Sequence, residues 1–126
     1  MIKASDGLDN LQILLPMISN MAELDEAKSK IQRAWEELVV EGYDVNPPKV
    51  GIMIEVPATL YQMPEIAGRV DFVSVGSNDL TQYLLAVDRG NTQVADLYDS
   101  FHPAVIRALS AIAAAGRSAA LPVSIC

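Results

Sequence analysis

The run Val50-Gly51-Ile52-Met53-Ile54-Glu55-Val56-Pro57 and its counterpart Val70-Asp71-Phe72-Val73-Ser74-Val75-Gly76 decide the fold. Each is short, nearly all apolar and rich in β-branched residues. The first ends in a proline and the second in the polar turn Ser77-Asn78-Asp79. Such runs suit strands buried on both faces of a parallel sheet, where the alternation of polar and apolar residues is lost. Between them, Ala58 to Ala67 reads as a short helix.

Working outward, residues 11–16 (Leu-Gln-Ile-Leu-Leu-Pro) form a third run of the same kind. Asn20 followed by Glu23 marks a helix start, and Leu24, Ala27, Ile31, Ala34, Trp35, Leu38 and Val39 recur at helical spacing as far as Gly42. The proline-bearing segment Tyr43 to Lys49 turns the chain back. Beyond the second deciding run, Leu80, Tyr83, Leu84 and Val87 share one side of a helix, and the loop Asp88-Arg89-Gly90-Asn91 follows. Pro103 opens a long helix through Val105, Leu109, Ile112 and Ala113 to Gly116, and Leu121 to Cys126 begins a fourth strand. Trp35, Met53 and Met63 are expected in the core, and His102, just ahead of Pro103, as a cap.

Alternating strands and helices specify an α/β fold with a parallel sheet, either doubly wound or part of a (β/α)8 barrel. Periodicity alone leaves the two open. A full barrel takes about 250 residues, so these β/α units amount to about half of one, in a single partial domain over residues 1–126. The fourth strand stops at Cys126 with no helix after it, so the expectation is a chain cut short there. A half barrel exposes two sheet edges, and a homodimer or a marginal fold is expected of it in isolation.

With 51% apolar and 20% charged residues, the composition is that of a globular domain. No apolar stretch approaches the roughly 20 residues of a membrane span, and the first residues lack a secretory signal. A net charge of −7 argues against a nucleic-acid footprint. It also means that a phosphate ligand would need a metal ion or well-placed arginines. The single cysteine, Cys126, forms no internal disulfide, and a cytoplasmic setting is expected.

The unusual polar residues fall where strands end: Glu55 after the second, Asn78 and Asp79 after the third, Cys126 at the fourth. In a parallel α/β fold those ends share one face, where ligand sites are built. Each has an ordinary reading as well. Glu55 could be a solvated carboxylate, Asn78 and Asp79 a helix start, Arg89 a surface residue and Cys126 an inert thiol. The sharper reading has Glu55 and Asp79 hold Mg2+ through oxygen, the helix start and Arg89 bind phosphate, and the thiol remain free for chemistry.

Gly51-Ile-Met-Ile-Glu-Val-Pro57 and Val75-Gly-Ser-Asn-Asp-Leu-Thr-Gln-Tyr-Leu-Leu-Ala-Val-Asp-Arg-Gly-Asn91 closely resemble signatures of enzyme I of the phosphoenolpyruvate-dependent phosphotransferase system. Leu14-Leu-Pro-Met-Ile18 and Phe101-His-Pro-Ala-Val105 resemble further parts of the same domain. Dikinases and phosphoenolpyruvate synthases share the Glu-Val-Pro and Asn-Asp-Leu-Thr-Gln elements, but their arginine loop typically differs from Val87-Asp-Arg-Gly-Asn91. Tyr83-Leu-Leu85 and Leu97-Tyr-Asp99 look more like the nitrogen-related than the sugar-transport branch.

The resemblance implies a (β/α)8 barrel in which Glu55 and Asp79 bind Mg2+, Asn78 and Arg89 hold the phosphate of phosphoenolpyruvate, and Cys126 gives a proton to the enolate carbon. It further implies phosphoryl transfer to a histidine on a separate domain and on to a phosphocarrier protein, with dimer contacts on the barrel. His102 does not match the phosphoacceptor motif. The chain by itself is therefore expected neither to turn over nor to bind substrate tightly. The competing readings are a dikinase or synthase fragment and a non-catalytic dimerisation module.

Overall fold

Both deciding runs form strands, and they are neighbours in one sheet. The computed structural model describes residues 1–126, with strands β1 (Gln12–Leu15), β2 (Lys49–Ile54), β3 (Phe72–Val75) and β4 (Val123–Ile125). All pairs are parallel and the order is β1-β2-β3-β4. Helices α1 (Met21–Val40), α2 (Met63–Ala67), α3 (Ser77–Leu85) and α4 (Pro103–Ser118) fill the connections. A doubly wound sheet reverses its strand order at a switch point, whereas a barrel does not. Strand order equal to chain order therefore marks this sheet as a segment of a barrel wall.

The register sorts the side chains onto two faces. Ile52 and Ile54 pair across with Val73 and Val75, and these four cluster with Leu24 of α1, Ile66 of α2, Leu80 of α3 and Ile112 of α4. Ile13 on the same face packs near Ile31 and Trp35 of α1. The opposite face presents Leu14, Gly51, Met53, Phe72 and Ser74, and none of those helix side chains. Strands buried on both faces were expected, and the structure covers only one. Leu14, on the uncovered face, is 36% exposed, because the inner face of a barrel is filled by strands from across its axis.

Local chemistry explains most boundaries. Asn20 caps α1 by accepting from the Glu23 amide at 3.0 Å, while Glu23 Oε2 accepts from the Ser19 amide at 2.8 Å. Those Ser19 bonds hold the Glu23 carboxyl below the usual carboxylate range. His102 Nδ1 accepts from the Ala104 amide at 3.2 Å and so caps α4 as expected. Asp71 binds the Val50 amide at 2.8 Å, fixing the start of the β2–β3 pairing.

Other expectations need correction. Pro57–Gln62 is a 3-10 helix, with α2 beginning only at Met63. Ser77, Asn78 and Asp79 are the first turn of α3 rather than a turn before it. Ala34 and Val39 are exposed, and the buried stripe of α1 runs through Leu24, Ile31, Trp35 and Leu38. Met63 is core, but Trp35 and Met53 are half-buried, the latter on the open face. No helix is long and apolar enough to cross a membrane.

Gly116 lets α4 lie against β4, since a Cβ there would stand 2.2 Å from Val123 Cγ2 and 3.1 Å from the Leu121 carbonyl. Gly116→Ala should therefore destabilise the domain by about 1–3 kcal/mol in chemical denaturation. Val123→Ala in the same chain should recover part of that loss, and additive losses would contradict this packing.

Candidate active site

Parallel strands deliver their carboxyl ends to one edge of the sheet. Glu55 follows β2 there, Gly76 follows β3 and Cys126 follows β4, with Met17 in the loop after β1. Glu55 is only 2% exposed. Its Oε1 accepts from the Met17 amide at 2.7 Å, the one hydrogen bond the carboxylate receives. Its Oε2 lies over Gly76, where a Cβ would meet it at 2.7 Å and Met53 Sδ at 2.9 Å. Only glycine leaves room for the carboxylate. Oε2 receives no donor from the chain but is not sealed from solvent, so water or a cation can reach it.

Gly76 is also the N-cap of α3, with no side-chain cap. The Ser77 hydroxyl and amide bond the Cys126 carbonyl at 2.9 and 3.4 Å, tying β4 to the start of α3. The amides of Asn78 and Asp79 find no acceptor in the chain. Free first-turn N–H groups on a helix dipole favour an anion. Cys126 Sγ donates to the Val75 carbonyl at 3.4 Å and accepts from the Ser74 hydroxyl at 3.6 Å, which fixes the thiol at the sheet edge.

Arg89 reaches this place by a return of the chain. Ala86 ends α3 in the left-handed conformation at φ 52°, and the buried Val87 anchors the turn. The Gln82 side-chain carbonyl then accepts from the Arg89 amide at 3.2 Å, while Asp88 accepts from Gly90 at 2.8 Å. The result brings Arg89 Nη2 to 3.3 Å from Asp79 Oδ1. Asn78 is held differently: its Oδ1 accepts from the Tyr98 hydroxyl at 3.1 Å.

The structure thus gathers Glu55, Asn78, Asp79, Arg89 and Cys126 around the carboxyl ends of β2, β3 and β4 and the first turn of α3. No group of three or more acidic, histidine or cysteine side chains forms a ready metal cage. The donor set still suits Mg2+, which binds one or two carboxylates and completes its shell with water and substrate phosphate. Sequence reasoning missed Met17, Gly76, Gln82 and Tyr98. Gln82 stands one helical turn from Asn78, a spacing that could have suggested a role, whereas Tyr98 has no local signal.

The family model for the PEP-binding domain of PEP-utilising enzymes, PEP being phosphoenolpyruvate, matches residues 1–126. The chain belongs to this family. A Salmonella typhimurium relative named for the phosphoenolpyruvate-dependent phosphotransferase system is 50% identical over 100% of this chain and 17% of its own length. A phosphoenolpyruvate-protein phosphotransferase of Cupriavidus necator is 38% identical over 92% of the chain and 20% of its own length. This PEP-binding domain sequence therefore spans a fifth or less of those relatives. A citrate lyase structure from Burkholderia xenovorans superposes with a TM-score of 0.70 at 24% identity, over 90% of this chain and 35% of that one, a likeness of fold.

Gln82 is the fastening of the arginine loop in this domain. Gln82→Ala should speed amide hydrogen exchange at Arg89 severalfold and lower stability by about 1 kcal/mol. Unchanged exchange would show that the loop is held by other contacts.

Proposed function

We propose that this PEP-binding domain serves a phosphotransferase of the enzyme I kind, which passes the phosphoryl group of phosphoenolpyruvate to a histidine of another domain and on to a phosphocarrier protein. Similarity to phosphotransferases along nearly the whole chain supports the reading. The observation that carries it is the meeting of Arg89 and Asp79 at 3.3 Å beside the free first turn of α3. A cation fork, a carboxylate and unpaired N–H groups are what a phosphorylated anion and its metal require.

In this reading Glu55 and Asp79 hold Mg2+. The ion supplies charge neutralisation for a multiply charged substrate. Arg89 forks onto the phosphate oxygens, and the Asn78 side chain with the α3 amides donates to the remaining ones. As the bond between phosphorus and the enol oxygen breaks and a new one forms to histidine nitrogen, pyruvate is left as its enolate. The Cys126 S–H then gives its proton to the enolate carbon, leaving a thiolate that regains a proton from solvent. Val75 and Ser74 keep that thiol at the sheet edge beforehand.

Two further features belong to the proposal. The open inner face and the unpaired edges of β1 and β4 suit a domain completed by more barrel or by a second copy, in keeping with a homodimer. The chain by itself lacks the phosphoacceptor histidine, so it performs no transfer alone.

The test uses the full-length protein carrying this domain, with phosphate-labelled phosphoenolpyruvate and Mg2+. Label should reach a small histidine-bearing carrier without any nucleotide. A strict nucleotide requirement would instead make the parent a dikinase or synthase, and no transfer with no Mg2+ binding would leave a dimerisation module. Cys126→Ala should slow pyruvate formation about 10²-fold or more while phosphoenolpyruvate still binds, and wild-type turnover in that variant would remove the thiol from the mechanism.

A further inference from the structure

Tyr98 sits outside both deciding runs, after a 3-10 turn over Ala95–Leu97, yet its hydroxyl meets the start of α3. The phenol donates to Asn78 Oδ1 at 3.1 Å and lies 3.5 Å from the Asn78 main-chain carbonyl. No other group bonds the Asn78 side chain, which is otherwise exposed. Tyr98 itself is half-buried, and its amide bonds the Ala95 carbonyl at 3.0 Å, so the ring is presented from an ordered turn.

A primary amide carries a pure acceptor at one corner and two N–H donors at the other, in nearly the same shape. The flip matters when the ligand is an anion, because phosphate and carboxylate oxygens at neutral pH act mainly as acceptors. An Asn78 turned the wrong way would offer its carbonyl to the anion. With Oδ1 engaged by the Tyr98 hydroxyl, Nδ2 has no partner in the chain, in the same first turn that carries the unpaired amides and the Asp79 that meets Arg89.

We infer that Tyr98 is a positioning residue that holds the side-chain amide of Asn78 through Oδ1, leaving its N–H donors for a bound phosphorylated carboxylic acid. The inference rests on the proposed role of Asn78 as a substrate ligand. Tyr98 touches no substrate. It removes the rotational freedom of an exposed side chain before the ligand arrives, and its effect therefore passes entirely through Asn78.

The experiment is a double-mutant cycle in the full-length protein, reading phosphoenolpyruvate affinity in the presence of Mg2+ and steady-state KM and kcat. Tyr98→Phe keeps the ring and should leave the thermal midpoint unchanged. It should weaken binding roughly threefold to tenfold, the worth of one neutral hydrogen bond, with KM rising more than kcat falls. In an Asn78→Ala background the same Tyr98→Phe change should have no further effect. Equal, additive losses in both backgrounds would overturn the inference, as would normal affinity in Tyr98→Phe alone. If Asn78→Ala itself binds substrate normally, the assignment of Asn78 as a ligand fails instead, and the two failures are told apart within one set of four proteins.

Discussion

A buried carboxylate seated over a glycine holds this domain's functional edge together. Glu55 ends β2, takes the Met17 amide from the loop after β1, and leans across the Cα of Gly76 at the end of β3. One side chain thereby bonds the loop after β1 and packs over the end of β3. Parallel pairing makes the meeting possible, since in an antiparallel sheet those ends would lie on opposite edges. Gly76 is required twice over, because its missing Cβ admits the carboxylate and its position opens the first turn of α3.

Charge follows from the same arrangement. The chain carries seven net negative charges, and the site adds two carboxylates at the place proposed for an anionic substrate. The Arg89–Asp79 contact balances part of this, but both side chains are well exposed, at 47% and 38%. Exposed pairs of this kind contribute about 0–1 kcal/mol. Such a pair keeps the arginine loop near α3 yet yields readily to a phosphate and a metal ion. The loop's lasting hold is the Gln82 bond to the Arg89 amide, which involves the main chain and survives any exchange of partners by the guanidinium.

Much of the fold was legible because its signals are local. Apolar runs closed by Pro16 and Pro57, the Asn20 and Glu23 pair, and Pro103 behind a capping His102 each report on a few neighbouring residues. The one-sided cover of the sheet was not legible, since Val50–Val56 reads the same whether its second face meets helices or the far wall of a barrel. Strand order resolved that ambiguity, and strand order is a long-range property. At the site, Glu55, Asn78, Asp79, Arg89 and Cys126 were picked out by their place after apolar runs and by family resemblance. Gln82 and Tyr98 act on them through bonds spanning 7 and 20 residues, and no periodicity records such partners. Gly76 was unreadable for another reason, because the need for it lies in the approach of Glu55 from a different strand.

In the proposed function, Glu55 and Asp79 form one metal site joined to a phosphate site at the start of α3. Its most direct test is calorimetry of phosphoenolpyruvate binding to the full-length protein, with and without Mg2+, beside the Asp79→Ala variant. Binding should require Mg2+ in the parent and be weakened tenfold or more, at least about 1.4 kcal/mol, in the variant. Equal, Mg2+-dependent affinity in both proteins would contradict it, since the metal would then be held without Asp79.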